Sequence, residues 1–317
     1  MSTTANALTT KIVKSKDGTE IHAQACGDHS KPAVVFLHGF ACASTAFDRL
    51  FGLPELQKNL YLVRYDARGH ARSGKPVTEE AYESARYAED FDAICEAFDL
   101  NKPFYAGWSL AGSVAADICA NNNPVPISGI IWLGGLPYLG DIMAIVATPL
   151  VLSFLPAFTA PESAEQALTT RIEFCKTLVA PKRLPDVPYA DMTSWVGTAA
   201  HLPQQCAALL LSRKQDPTRL KEEGANGLPL CIIHGKDDIQ IWGDKVVEQM
   251  QPYFKDCEAH LLDGHASLSH KSQLVTVLPR YISWPMFSEI NLEPVMDRLP
   301  PSSPDRTTLS QDFVCII

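Results

Sequence analysis

The sequence predicts an α/β fold: a mostly parallel central sheet with helices on both faces and an inserted helical cap. Three observations lead there. From residue 33 onward, short and continuously apolar runs recur, as in strands buried on both faces. Longer amphipathic stretches separate them, which is the pattern of helices laid against a parallel sheet. One interval, 136–227, keeps helical patterns and many prolines but has no clear buried strand.

The elements follow in order. Lys11–Val13 and Glu20–Ala25 flank Lys16-Asp17-Gly18, and Asp-Gly between two short apolar segments signals an edge hairpin. The spacing then predicts strands over Ala33–Leu37, Leu60–Tyr65, Pro103–Gly107, Ile127–Leu133, Leu230–His234 and Ala259–Leu262. Helices are expected over Ser44–Gln57, Glu79–Phe98, Leu110–Asn121, Asp244–Tyr253 and Leu268–Tyr281. Residues 1–135 and 228–283 are thus expected to form the core, and 136–227 the cap. Residues 284–317, with Pro300-Pro301-Ser302-Ser303-Pro304 and few periodic apolar positions, are expected to form a mobile tail.

Composition narrows the function classes. With 317 residues, 46% of them hydrophobic, the chain lies outside the regime of disorder. Its net charge of −9 is spread along the chain, which argues against nucleic acid as a partner. The nine cysteines include no C-x-x-C pair and read as reduced, buried thiols. Met1-Ser2-Thr3-Thr4-Ala5-Asn6 lacks the basic segment and apolar run of a secretory signal, so a cytoplasmic location is expected. Cys315 is third from the end, whereas a prenylation box needs its cysteine fourth. The most apolar stretch, Ile142–Phe158, is interrupted by Pro149 and Pro156 and falls short of the ~20 residues that span a bilayer. It reads as a helical layer facing a pocket. The sequence has neither zinc-type ligand spacing nor a dinucleotide fingerprint, so no metal or cofactor is expected and the partner is a small-molecule substrate.

Four strand ends carry the chemistry. Gly107-Trp108-Ser109-Leu110-Ala111-Gly112 lies between an apolar strand and a helical pattern, the context of a nucleophile elbow. Residues two before and two after the serine must be small for strand and helix to approach. Gly107 satisfies this; Ala111 departs from G-x-S-x-G but stays small, and Gly112 adds room. The plain alternative is a helix-capping serine. Val34-Val35-Phe36-Leu37-His38-Gly39-Phe40 ends a second strand where an oxyanion donor is needed. The backbone N–H groups of Phe40 and Leu110 are the candidates, with His38 holding the loop. Leu230–His234 leads into Gly235-Lys236-Asp237-Asp238, which delivers two competing carboxylates, of which Asp238 is preferred. Asp263-Gly264-His265 places a histidine directly after the last strand. The order Ser109, Asp238, His265 is nucleophile, acid, base.

These motifs, with Tyr65-Asp66-Ala67-Arg68-Gly69-His70-Ala71-Arg72-Ser73-Gly74, resemble the α/β-hydrolase superfamily over about residues 10–283. Specifically, they look like its serine-nucleophile branch of capped esterases and lactonases. The resemblance implies a sheet of about eight strands, a cap over Ser109, and structural roles for the Asp66 and Arg68 ions. Ala71 stands where the family often has glycine. The expected function is a serine hydrolase, in the first place a carboxylic ester hydrolase, cleaving an ester, thioester or lactone of a small apolar or aromatic substrate. Serine at the elbow disfavours the dehalogenase and epoxide hydrolase chemistries. Cleavage of a carbon–carbon bond beside a carbonyl, cofactor-free perhydrolysis and a ligand receptor remain alternatives. Trp108, Leu136, Tyr138, Met143, Phe154, Phe158 and Trp195 are the candidate pocket residues, or else the cap's own core.

Overall fold

A computed structural model describes residues 8–263. The chain opens with a hairpin of β1 (Thr9–Lys14) and β2 (Glu20–Gly27). It continues through β3 (Ala33–Leu37), α1 (Asp48–Phe51), α2 (Pro54–Asn59), β4 (Tyr61–Tyr65), α3 (Ser84–Ala97), β5 (Phe104–Trp108), α4 (Val114–Asn121) and β6 (Gly129–Leu133). A run of helices follows: α5 (Met143–Val146), α6 (Pro149–Thr159), α7 (Ala164–Lys176), α8 (Tyr189–Ala200), α9 (Gln204–Leu211) and α10 (Thr218–Ala225). The described chain closes with β7 (Leu230–Gly235), α11 (Gly243–Met250) and β8 (Cys257–Leu262). The helix expected over Leu268–Tyr281 and the expected tail 284–317 lie outside the described residues.

The eight strands form one sheet in the order β1-β2-β4-β3-β5-β6-β7-β8. The β1–β2 and β2–β4 pairs are antiparallel and every other pair is parallel. The class and the strand count therefore match the expectation. The apolar runs explain the centre: every residue of β5, β6 and β7 is buried, as strands sandwiched between helices require. The edge strand β1 is mostly exposed, and its Lys11 and Lys14 discourage further strand pairing.

All four expected helices within the described residues are shorter or split, Asp244–Tyr253 ending as a 3-10 turn over Gln251–Tyr253 and the other three breaking as follows. Ser44–Gln57 becomes a 3-10 turn, α1 and α2, because Pro54 lacks an N–H and restarts the helix at its first position. Glu79–Phe98 breaks at Glu83, whose ψ of 154° is extended. Leu110–Asn121 opens as a 3-10 turn over Ser109–Ser113 before α4 begins. The apolar run 142–158 splits at Ala147-Thr148, while Pro149 opens α6, capped by Thr148, and Pro156 lies inside it. No helix among the described residues is long and apolar enough to cross a membrane.

Residues 136–227 contain helices and no named strand. Within them α6 touches α7 and α9, α7 touches α8, and α10 packs on α4 of the sheet layer. The eight described cysteines are free thiols, six of them buried.

A buried ionic joint ties the hairpin to the sheet's helices. Arg68 is fully buried and donates from Nε and Nη2 to the two carboxylate oxygens of Asp90 on α3, at 2.8 and 2.6 Å. Its Nη1 reaches Asp17 Oδ2 in the hairpin turn at 2.9 Å and also the Ala81 carbonyl. Removing one partner of such a joint leaves a desolvated charge behind. Arg68→Leu is expected to cost about 3–5 kcal/mol of stability, read from urea unfolding, because Asp90 then sits buried without its cation.

Candidate active site

The sharpest local feature is Ser109. Strand β5 delivers it, and the chain turns there into helix with Ser109 at a φ of +53°. A side chain in that region is strained by an amount on the order of 1–3 kcal/mol and persists only where its surroundings enforce it. Here the enforcement is close packing. A Cβ on Gly107 would lie 2.6 Å from the Ala111 carbonyl oxygen and 2.7 Å from the Gly112 nitrogen, so only glycine lets strand and turn meet. Tyr105 Oη donates to that same Ala111 carbonyl at 2.6 Å. At Ala111 it is therefore the backbone carbonyl that meets the crossing. The next close approach falls on Gly112, whose Cβ would sit 2.7 Å from the Leu136 oxygen. Leu110 lies at the start of the 3-10 turn, where opening N–H groups have no acceptor within the helix.

Strand β3 brings the second loop. An ideal Cβ on Gly39 would lie 3.0 Å from Ser109 Cβ and 3.5 Å from its Oγ, so the His38-Gly39-Phe40 turn abuts the serine. The Cys42 N–H donates to the Gly39 oxygen at 3.2 Å, and the Ser44 N–H to Asp66 Oδ1 at 2.7 Å. Among the described residues the Phe40 N–H has no acceptor. Phe40, Ser109 and Leu110 all line one cavity.

The loop after β7 separates the two competing carboxylates. Asp238 is buried; its Oδ1 accepts from the Gln240 and Ile241 N–H groups at 2.8 and 3.1 Å, and His234 Nε2 lies 3.3 Å from Oδ2. Burial pushes the Asp238 carboxyl up, but His234 and these two amides outweigh it and hold the group below its ordinary value. It is a built-in anion. Asp237 points elsewhere, into an ion pair with Lys182 Nζ at 2.5 Å. His265, the expected base, lies outside the described residues.

The cavity at Ser109 is narrow, about 50 Å³, and mostly aliphatic. Of the expected pocket residues it is lined by Leu136 and Met143. Trp108 and Trp195 instead line a separate cavity of about 160 Å³ with Arg49 and Asp191. Phe158 is buried in an aromatic cluster with Phe40 and Phe174, at ring distances of 4.9 and 5.2 Å, and Phe154 meets Phe174 at 5.9 Å. Tyr138 lies beneath Lys221 Nζ at 5.3 Å. The aromatic rings thus mostly satisfy one another, while Val151, Leu152 and Leu155 of α6 face the serine. The sequence expectation of a helical layer over Ile142–Phe158 facing a pocket covers these three without naming them, because single aliphatic residues on a helix carry no chemical signature. Sequence reading passed over His70, hidden inside a loop motif.

The matches to known proteins agree with the fold. A family model described as alpha/beta hydrolase fold matches residues 32–238. The chain is 35% identical over 95 residues to a probable oxidoreductase, EphD, of Mycobacterium tuberculosis, covering 30% of this chain and 16% of that protein. It is 30% identical over 125 residues to a non-heme chloroperoxidase of Streptomyces lividans, covering 39% of this chain and 44% of that one. The matched stretch is therefore less than half the length of either relative. Among solved structures, a putative aryl esterase from Burkholderia cenocepacia superposes with a TM-score of 0.77 at 19% identity, covering 87% of this chain and 98% of that one. That likeness is one of fold.

The glycine argument is open to a paired measurement of thermal unfolding. Gly107→Ala forces a methyl against backbone and is expected to lower stability by about 1–3 kcal/mol. Gly197→Ala, in open space on α8, is expected to raise it by up to about 1 kcal/mol.

Proposed function

This chain belongs to the alpha/beta hydrolase fold family, and from that premise we propose that it is a serine hydrolase that forms an acyl-enzyme on Ser109. The observation that carries the reading is the strained Ser109, held at the mouth of an apolar chamber by a glycine-dependent crossing. A capping serine needs neither the strain nor the chamber.

In this reading Ser109 Oγ attacks an activated carbonyl. His265 takes the proton and later returns it to the leaving group, and buried, anionic Asp238 orients the imidazole and stabilises its cation. The developing alkoxide is received by the N–H groups of Phe40 and Leu110. Residues 136–227 act as a cap, because α6 lays Val151, Leu152 and Leu155 across the serine. An aliphatic chamber suits the acyl part of an ester, thioester or lactone, and we assign the protein first to the carboxylic ester hydrolases.

A second reading, perhydrolysis without a cofactor, is favoured by one observation, the similarity to a protein called a non-heme chloroperoxidase. It uses the same acyl-enzyme, with hydrogen peroxide in place of water. Carbon–carbon bond cleavage would run through the same residues, whereas a ligand receptor would bind with at most one slow turnover.

Turnover separates the enzyme from the receptor. The hydrolase is expected to be labelled at Ser109 by a fluorophosphonate and to cleave p-nitrophenyl butyrate over many turnovers. Ser109→Ala is expected to lose activity on the order of 10⁶-fold, because the triad works as a unit. A variant that kept most of its activity would rule the assignment out.

A further inference from the structure

Two buried histidines lie behind the loop that carries Phe40, and each reaches across to the other's loop. His38 follows β3. Its Nδ1 is 2.8 Å from the Gly39 oxygen, and its Nε2 is 3.0 Å from the Ala67 nitrogen. His70 belongs to the loop after β4. Its Nδ1 is 3.2 Å from the Arg68 oxygen, and its Nε2 is 3.3 Å from the Ala41 nitrogen. A carbonyl can only accept and an amide N–H can only donate, so each ring carries its proton on Nδ1 and its lone pair on Nε2. The two rings meet edge to face with centroids 5.2 Å apart, and His70 also packs edge-on to Phe40 at 6.3 Å. Both side chains are buried, at 2% exposure.

The bonds act on successive peptide planes. His38 and the Cys42 N–H fix the Gly39 carbonyl, and in a planar trans peptide the Phe40 N–H then points the opposite way. His70 fixes the next plane through the Ala41 N–H. Ala41 has a φ of +57°, a conformation that an alanine holds only under external restraint. Neutrality is essential, because a proton on either Nε2 would face an N–H. Burial keeps both rings below the usual histidine range, His70 at about 3.

We propose that His70, clasped with His38, is a positioning residue of the oxyanion hole: by accepting the Ala41 N–H it holds the turn that aims the Phe40 N–H beside Ser109. This rests on the serine hydrolase reading above. His70 touches no reacting atom; it acts through the backbone of Phe40 and Ala41.

The test compares the full chain with His70→Phe, which keeps ring volume without an acceptor, and His70→Gln, whose amide oxygen can accept. Hydrolysis of p-nitrophenyl butyrate, inhibition by phenylboronic acid and fluorophosphonate titration of Ser109 are read together. For His70→Phe we expect kcat to fall about 10- to 100-fold, somewhat less than complete loss of an oxyanion donor. KM should stay within about threefold, and the boronic acid Ki should rise by roughly the factor lost in kcat. The boronate is tetrahedral and needs the same hole. His70→Gln should recover most of both. A purely structural role would lower the titratable fraction and leave Ki unchanged, and that result would overturn the proposal, as would a folded His70→Phe with unchanged kcat. Absence of labelling and turnover in the unmutated protein would instead overturn the hydrolase reading, and the positioning role with it.

Discussion

The close approach of β5 and the turn that follows it is the constraint on which the candidate site depends. With no side chain at Gly107, the Ala111 carbonyl comes within 2.6 Å of where a Cβ would be, and the backbone must reverse within one residue. That residue is Ser109, and its left-handed φ follows from the crossing. The same geometry brings the start of a helical turn to the serine, so that the Leu110 N–H arrives unclaimed. In the proposed mechanism the strain at Ser109 and the Leu110 donor thus come from one packing event.

The second donor is secured differently, by polar groups that are themselves buried. Asp66 is wholly buried; it receives the Ser44 N–H, and Arg72 Nε at 3.0 Å, which closes the loop after β3 onto the loop after β4. Burial pushes the Asp66 carboxyl up, but the Ser44 amide and Arg72 outweigh it and hold the group below its ordinary value. Arg68, two residues on, anchors the same loop to α3 and the hairpin turn. A network of this kind is costly unless every member is partnered, so it fixes one arrangement in place of many.

Much of this was legible in the sequence, and the limits have physical causes. β3 was placed to the residue and the other strands to within two residues at either end, since buried parallel strands demand short, continuously apolar runs. Helix ends were less legible: the break at Glu83 has no proline or glycine to announce it. Asp238 was readable as a strand-end acid, but its advantage over Asp237 lies in burial and in the Lys182 ion pair, both tertiary facts. The pocket was read from aromatic rings, yet Phe154 and Phe158 both pack against Phe174, and Phe158 against Phe40 as well. The role proposed for His70 had no signal of its own within its motif, because it rests on an amide 29 residues away.

Hydrogen bonds tie the loop that carries Asp238 to the helical segment, which in the proposed hydrolase would link substrate shape to the acid. Gln240 donates its N–H to Asp238 and its Nε2 to Thr177 Oγ1, just past α7, at 2.7 Å, while its carbonyl receives the Thr148 N–H at 2.9 Å. Thr148 in turn caps α6, the helix whose aliphatic face meets Ser109, and its hydroxyl donates to the Ile239 oxygen at 2.6 Å. An acyl chain that displaced α6 would therefore pull on the turn that solvates Asp238. An apolar pocket alone discriminates poorly, by only about 1–3 kcal/mol per methylene. Coupling pocket shape to the hydrogen bonds of the acid adds a second penalty for a poor fit, because a displaced α6 loosens a buried carboxylate as well as leaving a void.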